Sequence, residues 1–320
     1  MKTFAWYCYG LKCKIVMILH YKLLKRPVKW KRWAGKKLLN PSECNKTISD
    51  AIRSGEPFMA ARFGFTEMGS VLALEKKRVT GENNEQEIQQ FRENIHVLSG
   101  MFSNDTEGFE KFSNLYLKAA GKCDLFGVWL SENVKEEYLL KTYCYNAKYT
   151  KAENLEPYYC ENEPWSKALA GKKVLVIHPF VDSIEEQYKN RCKLWKNPDI
   201  LPEFELETIK AVQTLCNSKD ERFPTWFDAL QYMEEQIATK DFDVAIIGCG
   251  AYGLPLAAYV KSIGKQAIHL GGAVQVMFGI RGKRWEDIPF FQEQMNEYWK
   301  RPSEDEKPKE ASSVEEGCYW

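Results

Sequence analysis

Apolar residues follow two rhythms along this chain, short unbroken runs and longer stretches at three- and four-residue spacing, and the two alternate. The unbroken runs are PFMAARF at 57–63, CDLFGVWL at 123–130, KVLVIH at 173–178 and DVAII at 243–247, and a further strand is read at 266–270. A strand that is apolar at successive positions has to bury both of its faces, which marks a parallel sheet covered by helices on each side. Helical spacing predicts helices over 42–55, 66–76, two within 84–120, one after an N-cap at Ser131, and others over 182–190, 226–237 and 254–263. Residues 191–204 read as a loop. Strand and helix alternate, so the fold class expected is α/β, a Rossmann-like and mostly parallel sheet with flanking helices. One domain is expected over 41–300, with a half-domain junction in the polar segment 150–165, which carries Pro157 and Pro164. The charged tail 301–320 is expected to be mobile except at its aromatic end, 318–320.

Charge changes this picture at the N-terminus. The 320 residues carry a net charge of +1, but residues 1–40 hold eleven Lys and Arg with no Asp or Glu, so the remainder carries −10. Phe4, Trp6, Tyr7, Tyr9, Leu11, Ile15, Leu19, Tyr21, Leu23 and Leu24 are interleaved with these cations. Residues 1–40 therefore read as a basic, amphipathic helical arm, suited to an anionic membrane surface. A solvated helix packing on its own domain is the other reading. Nucleic acid is not expected, because no nucleic-acid-binding module accompanies the arm. At 44% hydrophobic and 28% charged residues the chain is not a disordered one. Its ten cysteines form no CxxC pair and have no zinc-like spacing with histidine, which reads as reduced thiols. No secretory signal and no run of about 18 apolar residues is found. The expected location is cytoplasmic, and peripheral at the inner membrane face where the arm engages it.

Four places carry candidate chemistry. Residues 248–253, GCGAYG, form a GxGxxG pattern between a strand and a helix, and Gly250, Ala251 and Tyr252 would approach a phosphate. A nicotinamide cofactor would also need a carboxylate at the end of the next strand, which instead ends in His269, Leu270, Gly271 and Gly272. Tight strand–helix packing would also explain the glycines. Second, Gly271, Gly272 and Gln275 are followed by Arg281, Lys283 and Arg284, a combination that suits a polyphosphate. Third, Arg62, Gly64, Thr66 and Glu67 stand where a strand turns into a helix. A carboxylate there can hold a divalent cation, act as a base, or simply cap the helix. Fourth, His178 closes strand 173–178 at the same sheet edge, with Ser183, Gln187 and Tyr188 on the helix that follows.

The segments RFGFTE (62–67), IHPF (177–180), 246–272 and FGIRGKRW (278–285) resemble the GT-D-fold glycosyltransferases, in particular polysaccharide- and capsule-associated members. The resemblance spans roughly residues 45–300. It implies transfer of a sugar from a nucleotide-sugar donor, a UDP-sugar, to a glycan or lipid-linked glycan acceptor, with a divalent metal such as Mn²⁺. In the family's Asp-x-Glu metal motif Glu67 matches the Glu, but Phe65 stands at the Asp position and Thr66 at the second Gly. The expected site therefore has Gly250, Ala251, Tyr252, Gly271, Gly272 and Gln275 around a donor diphosphate. Arg62, Lys283 and Arg284 would offset its charge, with Gly64 and Thr66 beside them. Glu67 is the metal ligand, and Glu67 or His178 the base. Two rival readings are an NAD-dependent oxidoreductase and a non-catalytic, membrane-associated nucleotide-sugar-binding protein.

Overall fold

A computed structural model describes residues 2–25, 29–130, 135–160, 162–215, 218–308, 310–311 and 317–320. Its centre is one nine-stranded sheet. The strands are β1 (Arg32–Trp33), β2 (Lys36–Leu39), β3 (Phe58–Arg62), β4 (Leu125–Val128), β5 (Lys148–Lys151), β6 (Lys173–His178), β7 (Glu205–Lys210), β8 (Val244–Ile247) and β9 (Gln266–His269). Their order across the sheet is β1-β2-β5-β4-β3-β9-β8-β6-β7, and every pairing except β1 with β2 is parallel. The protein is thus an α/β protein with a mostly parallel sheet between layers of helices.

Alternation along each central strand sends side chains into two separate cores. Met59 and Ala61 of β3, Leu175 and Ile177 of β6, and Ala245 and Ile247 of β8 belong to one core. Phe58 and Ala60, Val174 and Val176, and Val244 and Ile246 belong to the other. Burial on both faces is why these strands read as unbroken apolar runs. The pairing of β3 with β9 makes the sheet continuous between β2–β5 on one side and β6–β9 on the other. The segment expected as a half-domain junction carries the chain across the sheet, from β5 to β6.

Helix starts follow local chemistry. The first helix of the body begins at Pro41 rather than Ser42. Asn40 accepts from Glu43 N–H, and the Glu43 carboxylate accepts from Asn40 N–H, a reciprocal cap with Pro at the first helical position. Gly55, at φ 73°, ends that helix. The N-cap expected at Ser131 lies outside the described residues.

Three expectations need correction. Residues 32–39 are not part of a helical arm. They form a hairpin whose turn residues Ala34 and Gly35 both have positive φ (48° and 83°), and β2 joins the sheet beside β5. The helical arm is Lys2–Val16, continued by a wider-wound turn over Met17–Leu23. The stretch 191–204 is not merely a loop, since it contains helical turns at Arg191–Leu194 and Pro198–Ile200. Finally, the tail is held in place at Glu306, which is buried and accepts from the backbone N–H groups of Asp182 and Ser183 and from the Ser183 hydroxyl. Its carboxylate caps the helix Val181–Lys189 that follows β6.

Candidate functional site

The carboxyl ends of β3, β4, β6, β8 and β9 open into one cleft of about 760 Å³. In an open α/β sheet this edge is where ligands bind, because the strand-to-helix loops there are free of the hydrogen bonding that occupies the strands. The chain leaves β6 toward β7 and leaves β8 in the opposite direction, toward β9. The loops after β6 and β8 therefore diverge, and His178 and Gly248 flank the gap.

The glycines of the GxGxxG pattern are set by protein packing. A Cβ on Gly248 would lie 2.9 Å from Val274 Cγ2 and 3.0 Å from His178 Cδ2, and would collide with the Gly271 carbonyl. Gly250 has φ 56°, and a Cβ there would lie 2.7 Å from the Ser99 carbonyl oxygen. At Gly253 a Cβ would overlap the His269 ring. The pattern thus brings together the second glycine loop, the end of helix Glu85–Ser99 and His269. Gly271, at φ 61°, is different: its Cβ would meet only the Arg62 guanidinium, no nearer than 3.5 Å.

Arg62 closes the other side of the cleft and is extensively engaged. It pairs with Glu156 at 2.8 Å, donates to the Leu270 carbonyl and stacks over the Trp129 ring at 5.1 Å. Glu156 also accepts from the Tyr158 hydroxyl. Burial raises Glu156 above the ordinary carboxylate range, and the Arg62 charge opposes the rise. The Arg62 charge is therefore already compensated, which limits what it can offset on a ligand. Trp129 is fixed in turn: its ring N–H donates to the Phe63 carbonyl at 2.8 Å, and its backbone N–H donates to Glu136 at 3.0 Å. Glu136 is fully buried, also accepts from Leu130 N–H, and is pushed up to about 7 by burial.

Glu67, His178 and His269 also line the cleft, and burial shifts each of them. Glu67 is buried in the first turn of helix Phe65–Thr80, its carboxylate folded back over Gly64. Burial raises its pKa, against hydrogen bonds from its own N–H and from Ser99. His178 is lowered to about 3 by burial, and its Nδ1 accepts from Phe180 N–H at 3.0 Å. The ring is therefore neutral with its proton on Nε2, which makes His178 a hydrogen-bond donor toward the cleft and not a base. His269 has the opposite tautomer. Its Nδ1 lies 3.2 Å from the Ile247 carbonyl, which can only accept, so Nδ1 carries the proton and Nε2 keeps its lone pair. Burial first, and then the nearby Arg62 charge, lower His269 to about 4.

Of the residues expected from sequence, Arg62, Gly64, Thr66, Glu67, His178, Gly250, Tyr252, Gly271, Gly272, Gln275 and Arg284 line this cleft. Ala251 and Lys283 do not. Ala251 is fully buried in the core, and Lys283 is exposed outside the cleft lining. Tyr252 turns its ring onto Trp226, stacked at 4.6 Å. Ser183, Gln187 and Tyr188 face elsewhere, bonded to Glu306, Gly279 and Phe204.

Sequence reading missed His269, Trp129, Glu156 and the aromatic end of the chain. Tyr319 packs over Gly272, accepts from Arg284 at 3.1 Å, and takes the Gln275 amide on its carbonyl at 3.0 Å. Trp320 meets Phe180 edge-on at 6.0 Å. His269 had a usable signal, since it ends a buried strand at the same edge as His178.

The donor set does not fit a resident divalent metal. Phe65 stands beside Glu67 in place of a second carboxylate, and no group of three His, Cys, Asp or Glu residues converges among the described residues. Comparison of the chain with protein-family models, with curated proteins and with solved structures gives no match.

Proposed function

We propose that the protein is a glycosyltransferase that takes a sugar from a nucleotide-sugar donor, a UDP-sugar, and places it on a glycan or lipid-linked glycan acceptor. The observation that carries this reading is the convergence of one buried carboxylate, two neutral histidines of opposite tautomer and two glycine loops on a single cleft of about 760 Å³. That volume suits a ligand larger than a monosaccharide, and Trp129, Tyr159 and Trp285 supply flat apolar walls for a base or a sugar ring. The resemblance of the cleft segments to GT-D-fold enzymes points the same way.

In this reading the donor diphosphate lies against Gly271, with Arg284 and the His178 Nε2–H on its oxygens. The acceptor hydroxyl oxygen bonds to the anomeric carbon as the carbon–oxygen bond to the diphosphate breaks. The nucleoside diphosphate leaves with that electron pair. Glu67 takes the hydroxyl proton, its raised pKa bringing it nearer the pH at which it must act. Donors placed on the leaving group act where negative charge develops, which is where such a site gains most rate. No step is assigned to a metal.

An NAD-dependent oxidoreductase is disfavoured by the packing role of the three pattern glycines and by the absence of a carboxylate at the end of β9. The test is release of nucleoside diphosphate from a panel of nucleotide sugars, with and without glycan acceptors. Acceptor-dependent release by the wild-type protein, lost in Glu67→Gln, is expected. Tight donor binding without release would assign the cleft to a non-catalytic binding protein, and neither binding nor release would refute the donor site itself.

A further inference from the structure

The arm helix is apolar on two opposite faces, and only one of them is used. Trp6 is buried edge-on against Tyr138 at 5.1 Å, with Lys135 Nζ 4.2 Å above its ring, and Tyr9 meets the same tyrosine at 6.2 Å. Thr3 donates to the Val79 carbonyl at 2.6 Å, and Lys12 pairs with Glu137. The helix is therefore seated on the body along one side. On the other side Phe4, Tyr7, Leu11, Ile15 and Ile18 recur at three- and four-residue spacing and stay exposed, Phe4 at 76% and Leu11 at 60%. Leu19, Leu23 and Leu24 continue the exposed surface. Residues 4–24 supply eight of the fourteen large apolar side chains exposed among the described residues, which makes this a patch rather than scatter.

Charge identifies what covers it. Lys14, Lys22, Lys25, Lys29 and Lys31 lie in and just after this segment and have no acidic partner among the described residues. At the edge of the stripe Glu82 accepts from the Tyr7 hydroxyl. A second copy of the chain would set these lysines against their own kind. A nucleic acid would use the lysines but leave the apolar stripe in water. A bilayer with anionic headgroups satisfies both, with the stripe in the acyl boundary and the ammonium groups at the phosphates. No helix among the described residues is long and apolar enough to cross a membrane, so the contact is one of lying on the surface.

We infer that the outward face of the arm, from Phe4 in helix Lys2–Val16 through Ile18 in the turn that continues it, docks the protein on an anionic lipid surface. This inference is independent of the transfer reaction, because its test reads no turnover. The full chain is sedimented with vesicles of phosphatidylcholine alone, and with vesicles containing about one quarter phosphatidylglycerol. The wild type binds the anionic vesicles at least about tenfold more tightly than the neutral ones, and added salt weakens the binding. Leu11→Asp with Ile15→Asp, both at exposed positions, weakens it by at least about tenfold with an unchanged melting midpoint. Lys14→Glu with Lys22→Glu does the same and stands as the second variant if the first does not fold. The inference is overturned by no binding, by equal binding to both vesicles, or by binding that neither variant weakens. Self-association of the wild type, lost in the variants and without vesicle binding, would overturn it by assigning the face to a second copy.

Discussion

At the scale of single residues, burial shifts the pKa of Glu67, His178 and His269 in the cleft and of Glu136 beneath Trp129. Glu67 and Glu136 are raised and His178 and His269 lowered, in each case with burial the largest cause. Glu67→Gln keeps the shape and the hydrogen-bonding capacity of a buried side chain, so its melting midpoint should stay near wild type. Its transfer rate should fall by about 10²–10⁴-fold if Glu67 takes the proton, which steady-state kinetics will read. An unchanged rate would remove Glu67 from the reaction. Glu136 makes a prediction about pH. Its carboxyl titrates near 4.5 when unfolded and about 7 when folded, so between those values the folded protein holds a proton that the unfolded chain has released. Its contribution to stability is complete below pH 4.5 and is lost as pH rises through 7. Relative to wild type, Glu136→Gln should therefore gain roughly 2–3 kcal/mol across that window, measured by denaturant unfolding at pH 4.5 and pH 8. A difference that does not move with pH would mean that Glu136 is not held protonated.

At the scale of elements, the glycine loops separate packing from ligand approach. Gly250→Ala meets both a left-handed backbone and the Ser99 carbonyl at 2.7 Å, and should cost about 1–3 kcal/mol in thermal unfolding. Gly271→Ala meets only the backbone penalty, with its nearest neighbour at 3.5 Å, and should cost about 1 kcal/mol. Equal losses in the two would contradict this division. The same elements show what was legible in the sequence. β3, β4, β6 and β8 were plain because burial on both faces leaves apolar residues at nearly every position. β7, ELETIK, was missed because it lies at the sheet edge and carries three charges in six residues. β1 and β2 were hidden by their own Arg32, Lys36 and Lys37 and by the basic run before them. The roles of the three pattern glycines were open in the sequence, because the atoms they touch belong to residues 99, 178, 269 and 271, remote from most of them in the chain. His269 was passed over as a strand end without a carboxylate, and the seating of Tyr319 against Gly272 depends on a long-range contact that no local pattern encodes.

For the whole molecule, one continuous sheet carries the cleft at its carboxyl edge, and the basic arm packs on the body through Trp6 and Tyr9. The cleft has no set of metal-holding carboxylates among the described residues, so turnover should be unchanged in excess EDTA. Loss of turnover in EDTA, restored by Mn²⁺, would show that donor oxygens complete a metal site around Glu67. The central claim is that the cleft holds a nucleoside diphosphate, and the most direct test is calorimetric titration of the purified protein with UDP, GDP, CDP, dTDP and NADH. Saturable binding of UDP, weakened at least about tenfold by Arg284→Ala and absent for NADH, is the result predicted. Binding of NADH alone, or of no nucleotide, would contradict the donor site and the function built on it.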